Sequence, residues 1–291
     1  NLNKCNAFII EVSSYQLQYS KVFRSKHAAI LNISPDHLDR HKNLTNYINV
    51  KSKIFFGQKK SDHTYLNLNN RYTKEIKNIF KSKKIKSKLN LVNKNKCNLL
   101  LKKIKNNYFK SSGNKENLSF AYSVAKNLKI NDKVIIKGLN KFKGLPHRQE
   151  TVFSNKKLIC INDSKATSFD ASLQSLSNYN NIYWIVGGLP KHQDYFYLKN
   201  VKKKIVKAYV IGKNTSFFQK QIRNDIPYVI SKNIRNAINN IYKDLALNVN
   251  SKKTILLSPA AASFDQFSNF ENRGAYFKKM IIKKFKRELN V

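Results

Sequence analysis

The second half of the chain repeats one hydrophobic pattern. Short apolar runs at 158–161, 182–186, 205–211 and 254–257 are each followed by a glycine or small-residue turn. Longer stretches with helical spacing lie around 170–177, 194–204, 215–223, 232–246 and 273–286. Strand, turn and helix in repetition predict a parallel sheet covered by helices. In such sheets ligands bind at the carboxyl ends of the strands. The polar clusters NDSKAT, GGLPK and SPAAAS fall at those ends. One cluster alone reads equally well as ordinary turn residues; several on one edge read as a site.

The first half reads as part of another α/β unit. Residues 7–12 and 28–33 are strand candidates that end in EVSS and SPDHLDRH, and a helix is expected over 47–55. The stretch 59–110 is rich in Lys and Asn and poor in pattern, and is expected to be strand and loop decoration of little chemical interest. Helical period returns at 114–128, with Leu118, Ala121, Tyr122, Ala125 and Leu128 on one face. The Gly- and Pro-containing segment KFKGLPHRQE (141–150) marks a boundary, giving domains 1–143 and 144–291.

Composition narrows the class. With 291 residues, 41% of them hydrophobic, the chain has enough apolar material for two domains and too much for a disordered protein. No apolar run reaches 18 residues, so no membrane span is expected. Cys5, Cys97 and Cys160 are odd in number and unpaired in spacing, which argues against a disulfide framework or a zinc site and for a reducing cytoplasm. The first residues lack a basic n-region and a cleavage site, so no signal peptide is expected. The net charge of +40 raises the question of nucleic acid. Only 8 of the 56 basic residues are Arg, however, and the Lys are spread from end to end beside 39 Asn. Arg is the better residue for bidentate phosphate and base contacts. Drift toward A/T-rich codons accounts for the charge better than a dedicated polyanion surface.

Three clusters can carry chemistry. DHLDRH sets His37 among carboxylates at a strand end, with Glu11 one strand away; it reads either as a capped charged loop or as a site for Mg2+. Asn114 and Asn117, three apart, share a helix face and can bind a nucleotide or cap the helix start. Arg148, Asp163 and Lys165 flank the expected boundary, and either stabilise phosphate charge or form surface ion pairs.

Taken together, EVSSYQL, ILNISPDHLDRH, YINVKSKIF, GLPHRQE, INDSKATS, VGGLPK and LLSPAAASFDQFSNFENRG resemble the Mur ligases, and within them the branch that adds D-glutamate. The resemblance implies part of a central P-loop-type ATPase domain, its phosphate loop missing, followed by a Rossmann-like parallel α/β domain that binds D-glutamate. It implies that ATP, UDP-N-acetylmuramoyl-L-alanine and D-glutamate react through an acyl phosphate in peptidoglycan precursor synthesis. The implied cofactors are ATP and Mg2+, the partners are these small molecules rather than nucleic acid or membrane, and the form is a cytoplasmic monomer. By motif, Glu11 and His37 match metal ligands, and Lys51 matches a lysine carried as its carbamate, a third ligand. Asn114, Asn117, Arg148, Asp163 and Lys165 match nucleotide or phosphate contacts. Thr167, Lys191, Ser263 and Phe270 match the D-glutamate pocket, and Lys51, His37 and Lys191 are the expected catalytic group.

Two departures stand out. Ser168 follows Thr167 where the family often has Asn, a change expected to be tolerated. The chain also contains no GxxGK[ST] phosphate loop and does not begin with Met, so it reads as a piece of a longer protein or a truncated one. A folded but inactive remnant is the alternative, with a basic nucleic-acid-binding module behind it. The enzyme reading requires Glu11, His37 and Lys51 to cluster, and Asp163, Lys191 and Ser263 to cluster, with both groups serving one nucleotide cleft.

Overall fold

A computed structural model describes residues 7–35, 37–191, 194–246 and 252–285. The chain divides into two compact units, Asn1–Phe142 and Lys143–Val291. Among the described residues no helix is long and apolar enough to cross a membrane.

The first unit is built on a parallel sheet of β1 (His27–Ile30), β2 (His63–Asn67) and β3 (Lys88–Val92), adjacent in that order. Its helices are α1 (Ser14–Tyr19), α2 (Leu38–His41), α3 (Leu44–Ser52), α4 (Thr73–Ser82), α5 (Asn98–Leu101), α6 (Ser112–Asn127) and α7 (Asp132–Lys141). One side of the core gathers Ala28, Ile30, Ile48, Phe55, Leu66, Ile76 and Phe80; the other gathers Tyr65, Val92 and Phe120.

Three expectations fail here, each for a physical reason. The stretch 59–110 is not decoration, because it supplies the central strand β2, the edge strand β3 and α4. Its polar residues hide this by being buried in pairs: Thr64 Oγ1 lies 3.0 Å from Ser87 Oγ and donates to Gln58. The exposed lysines of α4 likewise surround an Ile76–Phe80 stripe. Residues 7–12 form no strand; Phe8, Ile9 and Ile10 are exposed, Ile9 completely at 101%. An extended run needs a neighbour for its N–H and C=O groups, and no described strand pairs with it. The expected face of α6 is rotated as well. Leu118 is buried, but Ser119, Phe120 and Ser123 are buried beside it, while Ala121 and Leu128 are exposed. The two serines hide their hydroxyls by donating to carbonyls one turn back, Lys115 O at 3.0 Å and Ser119 O at 2.7 Å.

The second unit has one six-stranded sheet in the order β4-β5-β9-β6-β7-β8. The strands are β4 (Glu150–Ser154), β5 (Leu158–Asn162), β6 (Ile182–Gly187), β7 (Ile205–Ile211), β8 (Tyr228–Lys232) and β9 (Lys253–Leu257). All neighbours are parallel except the β4–β5 pair at the edge. Helices α8 (Phe169–Asn178), α9 (Thr215–Ile222), α10 (Ile234–Ala246) and α11 (Phe270–Phe285) cover it. Every residue of β6 and β9 is buried, as the continuous apolar runs predict for strands covered on both sides. Phe169, Leu176, Trp184, Phe218 and Ile222 pack on one face, and Tyr183, Ile185, Ile238, Phe277 and Ile281 on the other.

The expected helix at 194–204 is absent, apart from a 3-10 turn at Lys202–Lys204. Its apolar residues are buried all the same, because Phe196 stacks on Phe169 at 4.3 Å and its N–H donates to Gln221 Oε1 at 3.2 Å. The edge strands β4 and β8 carry no strong apolar run and are additions to the sequence reading.

Candidate active site

In the first unit two of the candidate residues, His37 and Lys51, flank a cluster of rings. Ser13 caps α1 in a reciprocal bond with Gln16, fixing the helix start just after Glu11. The next turn presents Tyr15, whose hydroxyl lies 3.3 Å from His37 Nδ1 and whose ring meets the imidazole edge-on at 5.2 Å. His37 sits in the left-handed region at φ 54, ahead of α2, a conformation that few non-glycine residues hold without function or compensation. Tyr15 also packs on His41 (5.9 Å), His41 on Tyr47 (5.3 Å), and Lys51 Nζ lies 5.7 Å over the Tyr47 ring. His41 Nε2 is 3.0 Å from Ser14 Oγ. Burial holds the His41 imidazole below its ordinary pKa, and the nearby His37 and Arg40 push the same way. His37 and Lys51 thus end on one relay, Tyr15–His41–Tyr47, while Glu11 is exposed on the segment leading into it.

The carboxyl edge of this sheet is laced to the same loop. Asn67 at the end of β2 donates to Leu31 O (3.0 Å) and to Glu116, and Asn70 donates to Ile33 O (3.0 Å). Glu116 lies on α6, between Asn114 and Asn117 in the sequence. Asn114 Nδ2 donates to Tyr108 O at 2.9 Å, and Asn117 is exposed. The helix cap is Ser111, not either asparagine.

In the second unit three loops converge at the carboxyl ends of the adjacent strands β5, β9 and β6. Register pairs Asn162 with Leu257 and Leu257 with Ile185, so NDSKAT, SPAAAS and GGLPK leave the sheet at one level. Leu189 and Ala262 then exchange both backbone hydrogen bonds at 2.9 Å, forming an antiparallel bridge. That bridge holds Lys191 and Ser263 within two residues of each other's anchor. Gly188 makes it possible: at φ +141, a Cβ would stand 2.4 Å from Ala262 O. Asp194 closes the third side, its carboxylate accepting from Phe169 N at 2.8 Å at the start of α8. Thr167 precedes that start, and Ser168 is its N-cap, accepting from Ala171 N. Ser and Asn cap helices about equally well, which explains why Ser168 can stand where Asn is common. Phe270 opens α11, with Lys165 Nζ 5.0 Å over its ring and His147 edge-on at 6.2 Å.

Asp163 faces inward. It is buried, with Oδ1 accepting from Gln149 N (3.2 Å) and Oδ2 from Ser175 Oγ (2.5 Å) and Ser258 Oγ (3.0 Å). Burial raises its pKa to about 6, against the pull of those bonds and of the Arg148 charge. Through Gln149 it fixes the turn that carries Arg148, an exposed residue. Asn162 ties the same turn to α11, donating to Gly274 O (3.2 Å) and Glu150 Oε2 (3.1 Å) and lying 2.9 Å from His147 Nδ1.

Sequence reasoning passed over Tyr15, His41, Asn162, Asp194 and Arg273. Arg273 is only 1% exposed, and its burial lowers its pKa to about 10, with Asp265 opposing the shift. A signal existed for Tyr15, His41, Asn162 and Arg273, since all four lie inside the quoted motifs. None existed for Asp194, whose role comes from a contact across 25 residues of chain.

A unit built on a parallel sheet is thus followed by a second, mostly parallel α/β unit whose loops are pinned together at the strand ends. The model of the Mur ligase middle domain matches residues 1–137. The UDP-N-acetylmuramoylalanine–D-glutamate ligase of Rickettsia felis is 36% identical over 289 residues, covering 94% of this chain and 64% of that relative. Its namesake in Rickettsia conorii is 30% identical over 336 residues, covering 94% and 67%. The chain therefore belongs to the Mur ligase family, and spans about two thirds of the length of these relatives. The fold agrees. A MurF ligase from Thermotoga maritima in complex with ADP superposes with a TM-score of 0.59 at 15% identity, covering 89% of this chain and 63% of that one. A MurF from Acinetobacter baumannii gives 0.58 at 14%, covering 87% and 60%.

Proposed function

We propose that this chain is the larger part of an ATP-dependent amide ligase that adds D-glutamate to UDP-N-acetylmuramoyl-L-alanine in the cytoplasm. One observation supports the reading: the segments that carry Thr167, Lys191 and Ser263 are tied by the Leu189–Ala262 bridge and the Asp194 cap, and Phe270 is tied to the turn before Thr167 by Ser164. The relatives named above supply the substrate.

In this reading the carboxylate of the UDP-linked substrate attacks the γ-phosphorus of ATP, and ADP leaves. The amine of D-glutamate then attacks the acyl carbon, loses a proton, and inorganic phosphate departs. Two anions must approach each other, so the protein's task is charge stabilisation and positioning. Lys165 and Arg148 supply positive charge beside the phosphate. Lys191, Thr167 and Ser263 hold the carboxylates of D-glutamate by charge-assisted hydrogen bonds, and Phe270 walls the pocket. Asn114 and Asn117 bind the nucleotide from α6.

Mg2+ would neutralise phosphate charge. Among the described residues no group of three or more His, Cys, Asp and Glu is arranged to hold a metal. Glu11 and His37 are two such donors, and the third would be Lys51 as a carbamate. The shared ring cluster beneath His37 and Lys51 supports that set, and its oxygen and imidazole donors suit a hard cation that keeps several waters.

The test is binding, since the 291 residues contain no GxxGK[ST] loop and the chain by itself is expected not to turn over. Calorimetry should show the intact chain binding D-glutamate in preference to L-glutamate, with Lys191→Ala weakening it by about ten- to hundredfold. Mn2+ should broaden the NMR signals of His37 and of the adjacent Tyr15, and a His37→Ala variant should lose the broadening at Tyr15. Equal binding of both glutamate enantiomers, or none, would sink the proposal.

A further inference from the structure

Among the described residues of the second unit Arg273 is the most deeply buried charge, at 1% exposure, and none of their carboxylates hydrogen-bonds to it. Its Nε donates to Ser164 Oγ at 3.0 Å and its Nη2 to Ser164 O at 2.8 Å. Ser164 Oγ in turn donates to Phe270 O at 2.8 Å. The third nitrogen, Nη1, has no hydrogen-bond partner and lies 3.3 Å from where a Cβ on Gly188 would stand. A guanidinium is costly to hide and costlier to leave part-satisfied. From α11 it thus meets two of the pocket's three loops at once: the turn of NDSKAT, and Gly188, the second glycine of GGLPK.

We infer that Arg273 is a positioning residue for the acceptor amino acid, acting through Ser164. By gripping both the hydroxyl and the carbonyl of Ser164, it sets the direction in which Lys165 and Thr167 leave β5. By the Ser164–Phe270 bond it fixes the pocket wall against the same point. Its fork geometry is what the task requires, because two parallel donors define an orientation and a single ammonium does not. The unpartnered Nη1 keeps positive potential behind Gly188, on the side where Lys191 and Ser263 are anchored, and so favours an anionic ligand over a neutral one. This rests on the D-glutamate reading above, and deepens it by naming the residue that aligns the pocket.

The test measures D- and L-glutamate binding to the intact chain and to Arg273→Lys, Ser164→Ala and the double variant. Tyr209→Phe is the control: it removes a 2.5 Å bond to Asp244, on a strand that carries none of these three loops, and should lower stability without touching the pocket. Both single variants are expected to weaken D-glutamate by about tenfold and to shrink the D-over-L preference. The double variant should be little worse than the weaker single one, since both residues act on one path. Ser164→Ala removes only a hydroxyl, so it reads out even where Arg273→Lys unfolds. An affinity within twofold of the unaltered chain in Ser164→Ala, an unchanged D-over-L ratio, or an equal loss in Tyr209→Phe overturns the inference and leaves the pocket assignment standing. No D-glutamate binding by the unaltered chain overturns the pocket assignment and this inference with it.

Discussion

The two units hold their candidate residues in opposite ways. In the second, the pocket is fixed by backbone: a two-bond bridge, a capped helix start and a buried guanidinium, all seated on a six-stranded sheet. In the first, Glu11 and His37 are exposed, and His37 is joined to Lys51 through ring contacts between side chains beside a three-stranded sheet. Backbone pinning gives a pocket ready before its ligand arrives. Side-chain contacts on an exposed surface give one that the ligand must help to order. The difference matches the chemistry assigned to each, since an amino acid must be told from its mirror image while a hydrated cation only needs donors.

The comparison breaks most severely at Gly187. Its φ is +131, and a Cβ there would stand 2.0 Å from Ile211 O. Gly187→Ala is expected to cost at least ~3 kcal/mol and to abolish D-glutamate binding. Trp184, the single tryptophan, is buried in this unit, so denaturation followed by its fluorescence reads the second unit alone. A smaller loss would mean that the loops tolerate movement and are less pinned than described.

Next in size is a pH effect of unusual sign. Asp163 has its pKa raised from 3.8 to about 6 by burial. The folded form therefore keeps a proton that the unfolded chain releases, and stability falls as pH rises between those values, by ~3 kcal/mol. Above about 6 the contribution levels off. Asp163→Asn should flatten this slope, and the difference between the two denaturation profiles isolates it from Glu150 and Asp244, whose lowered pKa values act in the reverse direction. Parallel profiles would show that Asp163 ionises normally.

The smallest effect tests the looser unit. Gly138 lies exposed within α7, with nothing within 4 Å of an added Cβ. Gly138→Ala should stabilise the first unit by ~0.5–1 kcal/mol, seen as slower amide exchange along α7, and leave D-glutamate affinity alone.

The parallel core of the second unit was legible because its strands are buried on both faces and written in apolar letters, as β6 and β9 show. The strand β2 was not, since Thr64 and Asn67 are buried by pairing with polar partners far along the chain. The run at 7–12 misled in the other direction: its apolar letters are genuine, but extended structure depends on a neighbour that a local pattern does not contain. The helix expected at 194–204 failed because Phe196 is claimed by Phe169. For the pocket, the residues that would touch a ligand stood out in the motifs; Ser164 and Arg273 lay in those motifs too, but their holding role rests on contacts spanning 109 positions, and Asp194 lay outside them altogether.

The bridge between Leu189 and Ala262 joins segments more than seventy positions apart in the sequence into a single ribbon. Neither loop can be lengthened, shortened or re-aimed without carrying its partner along. A change of acceptor amino acid by exchanging one of them with a cousin enzyme should therefore yield a mismatched seam, and only a paired transplant of both should give a working hybrid. Inheritance faces the same constraint: new preferences at this pocket would have to arrive as coordinated substitutions.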